Sequence, residues 1–316
     1  MDQPAAANDT LHGSERQATP GGFKSTLINL IPPATLAAVV LFWGLAPQSV
    51  IDYPWTLTLV SVAIMMWIQG LEFFFERHAG WRLNKREFLT DVFYVVLFST
   101  AIAWAAAKFG DEPLYAIKQT LGIATPWLAE LPFLVQAALV FFLFEFGQYW
   151  MHRAMHNWLP LWLTHAPHHH ITQLNALKGY VGNPIELFLI NLSILALLDF
   201  DTTAVFCSIT MGSVVSGFAH ANVRSDPPLF YSYFCTTIRH HSLHHTALSY
   251  EDTRCNYGNS LIVIDRMFGT YREGESSVVG QDDRKRLTIR EQFMFPFQPM
   301  INAYTERRGT SATEAG

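Results

Sequence analysis

The 316-residue chain is 50% hydrophobic and 14% aromatic but only 15% charged, against roughly 25% in an average soluble domain. The deficit comes from long uncharged runs, and it points to a membrane protein. The formal charge of −5, without a basic stripe interleaved with aromatic residues, speaks against nucleic-acid binding, and three cysteines with no C-x-x-C pair speak against a disulfide framework.

Residues 1–22 are polar and small, so they read as a disordered segment. They lack the apolar core and cleavage site of a signal peptide. A spanning helix needs about 20 mostly apolar residues. Four stretches qualify: 27–46, 55–75, 89–108 and 132–151. Pro32 and Pro33 are expected to kink the start of the first helix or to mark where it begins. Two shorter runs, 185–198 and 202–218, flank Asp199 and Asp201 and read as a helical hairpin that barely spans or dips in and returns. The expected fold is all-α: a polytopic membrane bundle of four spanning helices plus the hairpin, with a histidine-rich metal-binding cap. Residues 23–275 would form this membrane domain, and residues 276–316 a polar C-terminal tail.

Lysine and arginine bias gives the orientation. Arg77, Arg82, Lys85 and Arg86 cluster after the second span, whereas the connections at Asp52 and at 111–130 are acidic or nearly neutral. Positive loops stay inside, so this loop is expected in the cytoplasm. The later crossings then return the chain to the same side at His152 and again at His220. Both termini and every histidine group are therefore expected on the cytoplasmic face.

The sequence has 13 histidines, and only His12 and His78 lie outside the central region. Neutral imidazole offers a lone pair to a metal. His152 and His156 are spaced i, i+4. His165, His168 and His169, and again His241, His244 and His245, are spaced i, i+3, i+4, which shares one helical face. Pro167 interrupts the middle group, so its helix is expected to start there, with His165 in the turn. His220 closes another apolar run. His170 and His240 are rotated about 100° from their neighbours and are weaker candidates. Glu145 and Tyr149 fall near the face of His152, where they could receive or supply hydrogen bonds that fix the ligands. Arg153 and Asn222, beside His152 and His220, join them in that role. A lone His78 at the end of a span reads as an interfacial residue. Nine candidate imidazoles exceed one coordination sphere and suit two metals with four or five nitrogens each. Imidazole accepts iron, copper, nickel and zinc alike, so the residues alone leave the metal open.

The text Y-W-M-H-R-A-M-H at 149–156, H-A-P-H-H at 165–169, H-A-N at 220–222, H-S-L-H-H at 241–245 and N-Y-G-N-S-L-I-V-I-D-R-M-F-G-T-Y at 256–271 resembles the fatty acid hydroxylase/sterol desaturase superfamily of integral membrane oxygenases. L-T-D at 89–91 fits the first core helix of that family. The likeness covers roughly residues 86–272. It implies two iron ions held by His152, His156, His165, His168, His169, His220, His241, His244 and His245, with dioxygen as co-substrate. Two departures stand out. Glu145 occupies a position where aspartate is usual, and Asn183 one where a histidine often precedes the proline. The second falls in G-Y-V-G-N-P-I-E, a stretch expected near the substrate.

The resulting expectation is hydroxylation of a lipid C–H bond, in an acyl chain, polar lipid or sterol. Desaturation on the same site is the enzymatic alternative. A lipid would arrive from the bilayer, and electrons from a separate protein, since no flavin, haem or ferredoxin motif is present. A metal transporter or buffer would need ligands in the middle of the spans, and these sit at helix ends. A binding module that has lost catalysis fits poorly with so full a ligand set.

Overall fold

Backbone in hydrocarbon must satisfy its own N–H and C=O groups, and each long apolar run becomes a helix. The computed structural model describes residues 22–281 and 284–303. Among the described residues the fold is helical, with no strand. Helices α1 (Phe23–Leu45), α2 (Thr56–Phe74), α3 (Lys85–Leu121) and α4 (Phe133–Asn157) are each long and apolar enough to cross a membrane. They are followed by α5 (Leu159–His169), α6 (Pro184–Ile190) and a fifth potential span, α7 (Thr202–His220). Short helices α8 (Ile238–His244), α9 (Ile262–Phe268) and α10 (Ile289–Met294) complete the chain.

α7 is the central post and packs against α1, α2 and α4. Trp43 of α1 donates to Thr210 of α7 at 2.9 Å, and Ile68, Val214 and Phe218 are buried in the same core. Leu59, Met66, Trp67, Phe73 and Phe74 of α2 are exposed. Such an apolar outer face suits lipid, because hydrocarbon solvates it at no cost.

Hydrogen bonds identify the two ends of the bundle. At one end Lys118 pairs with Asp199, whose Oδ2 also accepts from the Thr125 N–H at 2.8 Å. At the other, the start of α1 meets residues after α7: Ser225 donates to the Ile28 carbonyl at 3.1 Å. There too the His78 N–H donates to Asn222 at 2.8 Å, and Lys178 reaches Glu87 and Asp91 near the start of α3 at 2.5 and 2.6 Å. α4 and α7 both end here, carrying His156 and His220.

Several expected boundaries move. α1 starts well before Pro32 and Pro33 and runs through both. α3 is 37 residues long, far beyond the expected 89–108. It contains π turns over Phe98–Ile102 and Ala107–Asp111. The second precedes Pro113, which has no N–H for the carbonyl four residues back, so the ladder widens where that bond is lost. The hairpin is present but uneven. Its first arm is the seven-residue α6, then a break and a single turn at Leu195–Leu197, while α7 is full length. α5 starts at Leu159 and passes through Pro167, so His165 is helical and not in a turn. Residues 276–303 pack back on the bundle in their described part, with Val278, Val279 and Leu287 buried. Residues 1–21, with His12, and 304–316 lie outside the described residues.

Candidate metal centre

The histidine end gathers nine imidazoles into two groups. His152, His156, His165, His169 and His244 form one, and His168, His220, His241 and His245 the other. Within each group the potential ligand atoms lie within 4.8 Å of one another. Helical geometry explains the sorting. Residues i and i+4 point about 40° apart, whereas i+3 and i+4 diverge by about 100°. His165 and His169 therefore share the five-membered group and His168 enters the other. α8 does the reverse: His241 and His245 stay together in the four-membered group, and His244 crosses over. Each short helix straddles both groups.

On five of the nine rings the outward nitrogen fixes the tautomer. Nδ1–H donates to the Tyr257 carbonyl from His152 at 2.7 Å, to the Val181 carbonyl from His168 at 2.7 Å, to the Cys255 carbonyl from His244 at 2.7 Å and to the Ser216 carbonyl from His220 at 2.9 Å. His165 Nδ1 donates to the Glu186 carboxylate at 2.6 Å. Carbonyls and carboxylates can only accept, so Nε2 is left as a bare lone pair. These lone pairs face each other: His152 and His165 Nε2 are 3.0 Å apart, as are those of His244 and His152. Two imidazoles whose protons are both committed outward cannot share a hydrogen bond there. Only a cation between them makes the arrangement favourable, so the residues present fit metal binding. Burial pushes His165 down to about 3, and His169, His241, His244 and His245 well below the usual histidine range. All are therefore neutral, ligand-ready imidazoles near pH 7.

Beside this end lies a cavity of about 590 Å³ between α2, α4 and α7, lined mainly by apolar side chains such as Ile64, Met65, Val140, Phe144 and Ile209.

Residues 137–270 match the fatty acid hydroxylase family, and that stretch holds all nine grouped histidines. Over that stretch the chain is similar to the fatty acid hydroxylase family. It is 26% identical over 213 residues to the ornithine lipid hydroxylase OlsE of Rhizobium tropici, covering 60% of this chain and 59% of that protein. It is 29% identical over 154 residues to a Delta(7)-sterol-C5(6)-desaturase of Nicotiana tabacum, covering 45% of this chain and 52% of the relative. Identity to the fatty acid hydroxylase vlmA of Lecanicillium sp is 29% over 161 residues, covering 46% and 42%. The matched region thus spans less than two thirds of each of these relatives. No solved structure matches the chain.

The remaining candidates stand apart from the two groups of histidine rings. Glu145 lines the cavity and accepts from the Ser260 N–H at 2.7 Å. Tyr149 bonds Thr270 at 2.9 Å, and Arg153 donates to Tyr149 at 3.1 Å and lies over the Trp150 ring. Asn222 ties the α2 and α7 ends together through His78 and through Glu72, which accepts from its N–H at 2.7 Å. His170 Nδ1–H donates to the Lys285 carbonyl at 3.2 Å, and His240 closes a cap with Thr237. Neither belongs to a metal-competent group. His78, at the end of α2, is 1% exposed, pairs with Glu275 at 2.9 Å and belongs to neither histidine group. Glu186, not singled out from the sequence, is the only carboxylate hydrogen-bonded to the nine rings among the described residues. Its signal was the N-P-I-E capping pattern, where Asn183 caps α6 and Glu186 answers it. Asn183 bonds the Gln292 carbonyl at 2.8 Å and does not line the cavity, whereas Gly179 and Tyr180 of the same stretch do.

Proposed function

We propose that this chain is a membrane-bound di-iron oxygenase that hydroxylates a C–H bond of a lipid. The reading rests on one juxtaposition: two groups of buried, neutral imidazoles with converging lone pairs beside an apolar cavity between membrane-length helices. A pair of iron ions held by His152, His156, His165, His169 and His244, and by His168, His220, His241 and His245, would supply the activation of dioxygen that an unactivated C–H bond requires. One oxygen atom of O2 would enter the C–H bond and the other would leave as water, with electrons and protons delivered through a separate carrier protein.

The chain's own residues supply the rest. The carbonyls of Tyr257, Val181, Cys255 and Ser216 and the Glu186 carboxylate hold five of the nine rings in one tautomer and orientation, which raises ligand basicity. Burial excludes water from around the rings. The cavity holds the lipid chain with its long axis along the helices and leaves the bilayer as its source. The lysine and arginine bias supports a cytoplasmic position for the histidine end, where a soluble electron carrier has access. Since one relative is named a desaturase, removal of a second hydrogen in place of oxygen insertion is the alternative outcome on the same residues.

Two measurements test the reading together. Purified, metal-reconstituted protein is expected to hold about two metal ions per chain, since nine nitrogens exceed one coordination sphere. Lipids from expressing cells are expected to gain an oxygen atom only when O2 is supplied. At most one metal per chain would overturn the dinuclear reading, and a new double bond without added oxygen would select desaturation.

A further inference from the structure

The cavity and the histidines meet at one residue. Along α7 the cavity is lined from Val205 to Gly217, a rise of about 18 Å at 1.5 Å per residue. Its histidine end is closed by the segment 175–181, of which Ala176, Gly179 and Tyr180 line the wall. A Cβ on Gly179 would stand 3.2 Å from His220 Cε1, 3.4 Å from Nδ1 and 3.6 Å from Nε2. Gly179 thus touches the cavity on one side and the His220 ring on the other, with only backbone between. His220 Nε2 lies 2.8 Å from His241 Nε2, so the ring behind this wall belongs to the four-histidine group. The five-histidine group is flanked by other rings instead: Trp162 and Tyr257 lie 5.2 and 5.4 Å from His156.

The wall segment cannot retreat to admit a larger residue. Asn175 donates to Asp91 at 2.9 Å, the Ala176 N–H donates to Glu72 at 2.8 Å, and Lys178 is clamped by Glu87 and Asp91. The Val181 carbonyl holds His168. These anchors bracket Gly179 on both sides.

We propose that Gly179 is the window through which a lipid in the cavity meets the metal centre, and that the four-histidine group is the half of the centre that faces substrate. A slot about 18 Å long with apolar walls formed by helix faces selects a single extended hydrocarbon chain, whose reacting carbon comes to rest against Gly179. This deepens the oxygenase reading and depends on it for the chemistry, though not for the proximity of lipid and metal.

The experiment compares wild type, Gly179→Ala and Gly147→Ala. Gly147 lies on α4 outside the cavity lining, and a Cβ there meets nothing within 4 Å. Each protein is assayed for metal content, for oxidised product from a total lipid extract of the expression host, and, after loading with cobalt(II), for a change in the visible spectrum on adding that extract. Gly179→Ala is expected to keep full metal content, to lose the lipid-induced spectral change, and to lose product by roughly a hundredfold, the order that an ångström of misplacement costs. Gly147→Ala is expected to behave as wild type. Unchanged product and spectral response in Gly179→Ala would overturn the window, and so would loss of metal, which would make Gly179 a support for the ring alone. A wild-type protein whose cobalt spectrum responds to lipid but which forms no oxidised product would instead sink the oxygenase reading and leave the window standing.

Discussion

The two ends of the bundle are built on different terms. At the end away from the histidines, one ion pair, Lys118 with Asp199, and the Thr125 bonds join α3 to the start of α7. At the histidine end, Glu72, Glu87, Asp91, Lys178 and Arg77 are all buried, and each has several partners. Buried charges cost free energy unless fully paired, so such a concentration needs a reason. The reason is geometric: Glu72 fixes the backbone at Ala176 and Asn222, and Lys178 is tied to Glu87 and Asp91, so the segments beside His220 and the Val181 carbonyl are held in place. One end of the molecule only has to close; the other has to aim.

That contrast predicts a gradient of mutational effects. The largest belongs to the rings themselves. His165→Ala removes a proposed ligand, whose Nε2 lies within 3.1 Å of those of His152, His156 and His169. Loss of a supporting partner alone typically costs about 10–100-fold in affinity or activity, so loss of a ligand is expected to exceed that. Metal content per chain and oxidised lipid should fall together; near-normal product would break the metal-centred mechanism.

Glu186→Ala comes next. It leaves His165 in place but frees its Nδ1–H, so a loss of about 10–100-fold in metal affinity is expected, read by chelator competition. An unchanged affinity would show that the carboxylate only caps α6.

Lys178→Met tests the buried network. It strands Asp91 without its cation and leaves Glu87 with Arg286 alone, and breaking such a buried pair typically costs about 3–5 kcal/mol. Thermal unfolding in detergent should drop clearly. The smallest effect is expected at the other end, where Lys118→Ala should leave metal content and product unchanged. A Lys118 variant as damaging as the Lys178 variant would erase the contrast between the ends.

Much of this was legible in the sequence. The apolar runs located the spans because hydrocarbon tolerates little else, and the histidine spacing located the helical faces. What escaped depended on contacts between distant segments. Pro167 would end an isolated helix, yet α5 continues through it, with His165, His168 and His169 drawn into groups completed by α4, α7 and α8. His78 sits at the end of an apolar run and pairs with Glu275, 197 residues later. No local pattern announces that Lys178 will pair with two carboxylates on α3.

The return of residues 284–293 to the bundle has a consequence for biosynthesis. Arg286 pairs with Glu87, 199 residues earlier, and Gln292 accepts from Tyr94, 198 residues earlier. α3 therefore leaves the ribosome and meets the bilayer long before its partners are translated. Glu87 and Asp91 first gain a cation when Lys178 emerges, and Glu87 gains its second only with Arg286. A nascent chain stalled before residue 284 already carries every histidine of both groups, but not the segment that locks α3 and the cap of α6 beneath them. The brace on α3 and on the cap of α6 is therefore the last part of the histidine end to form.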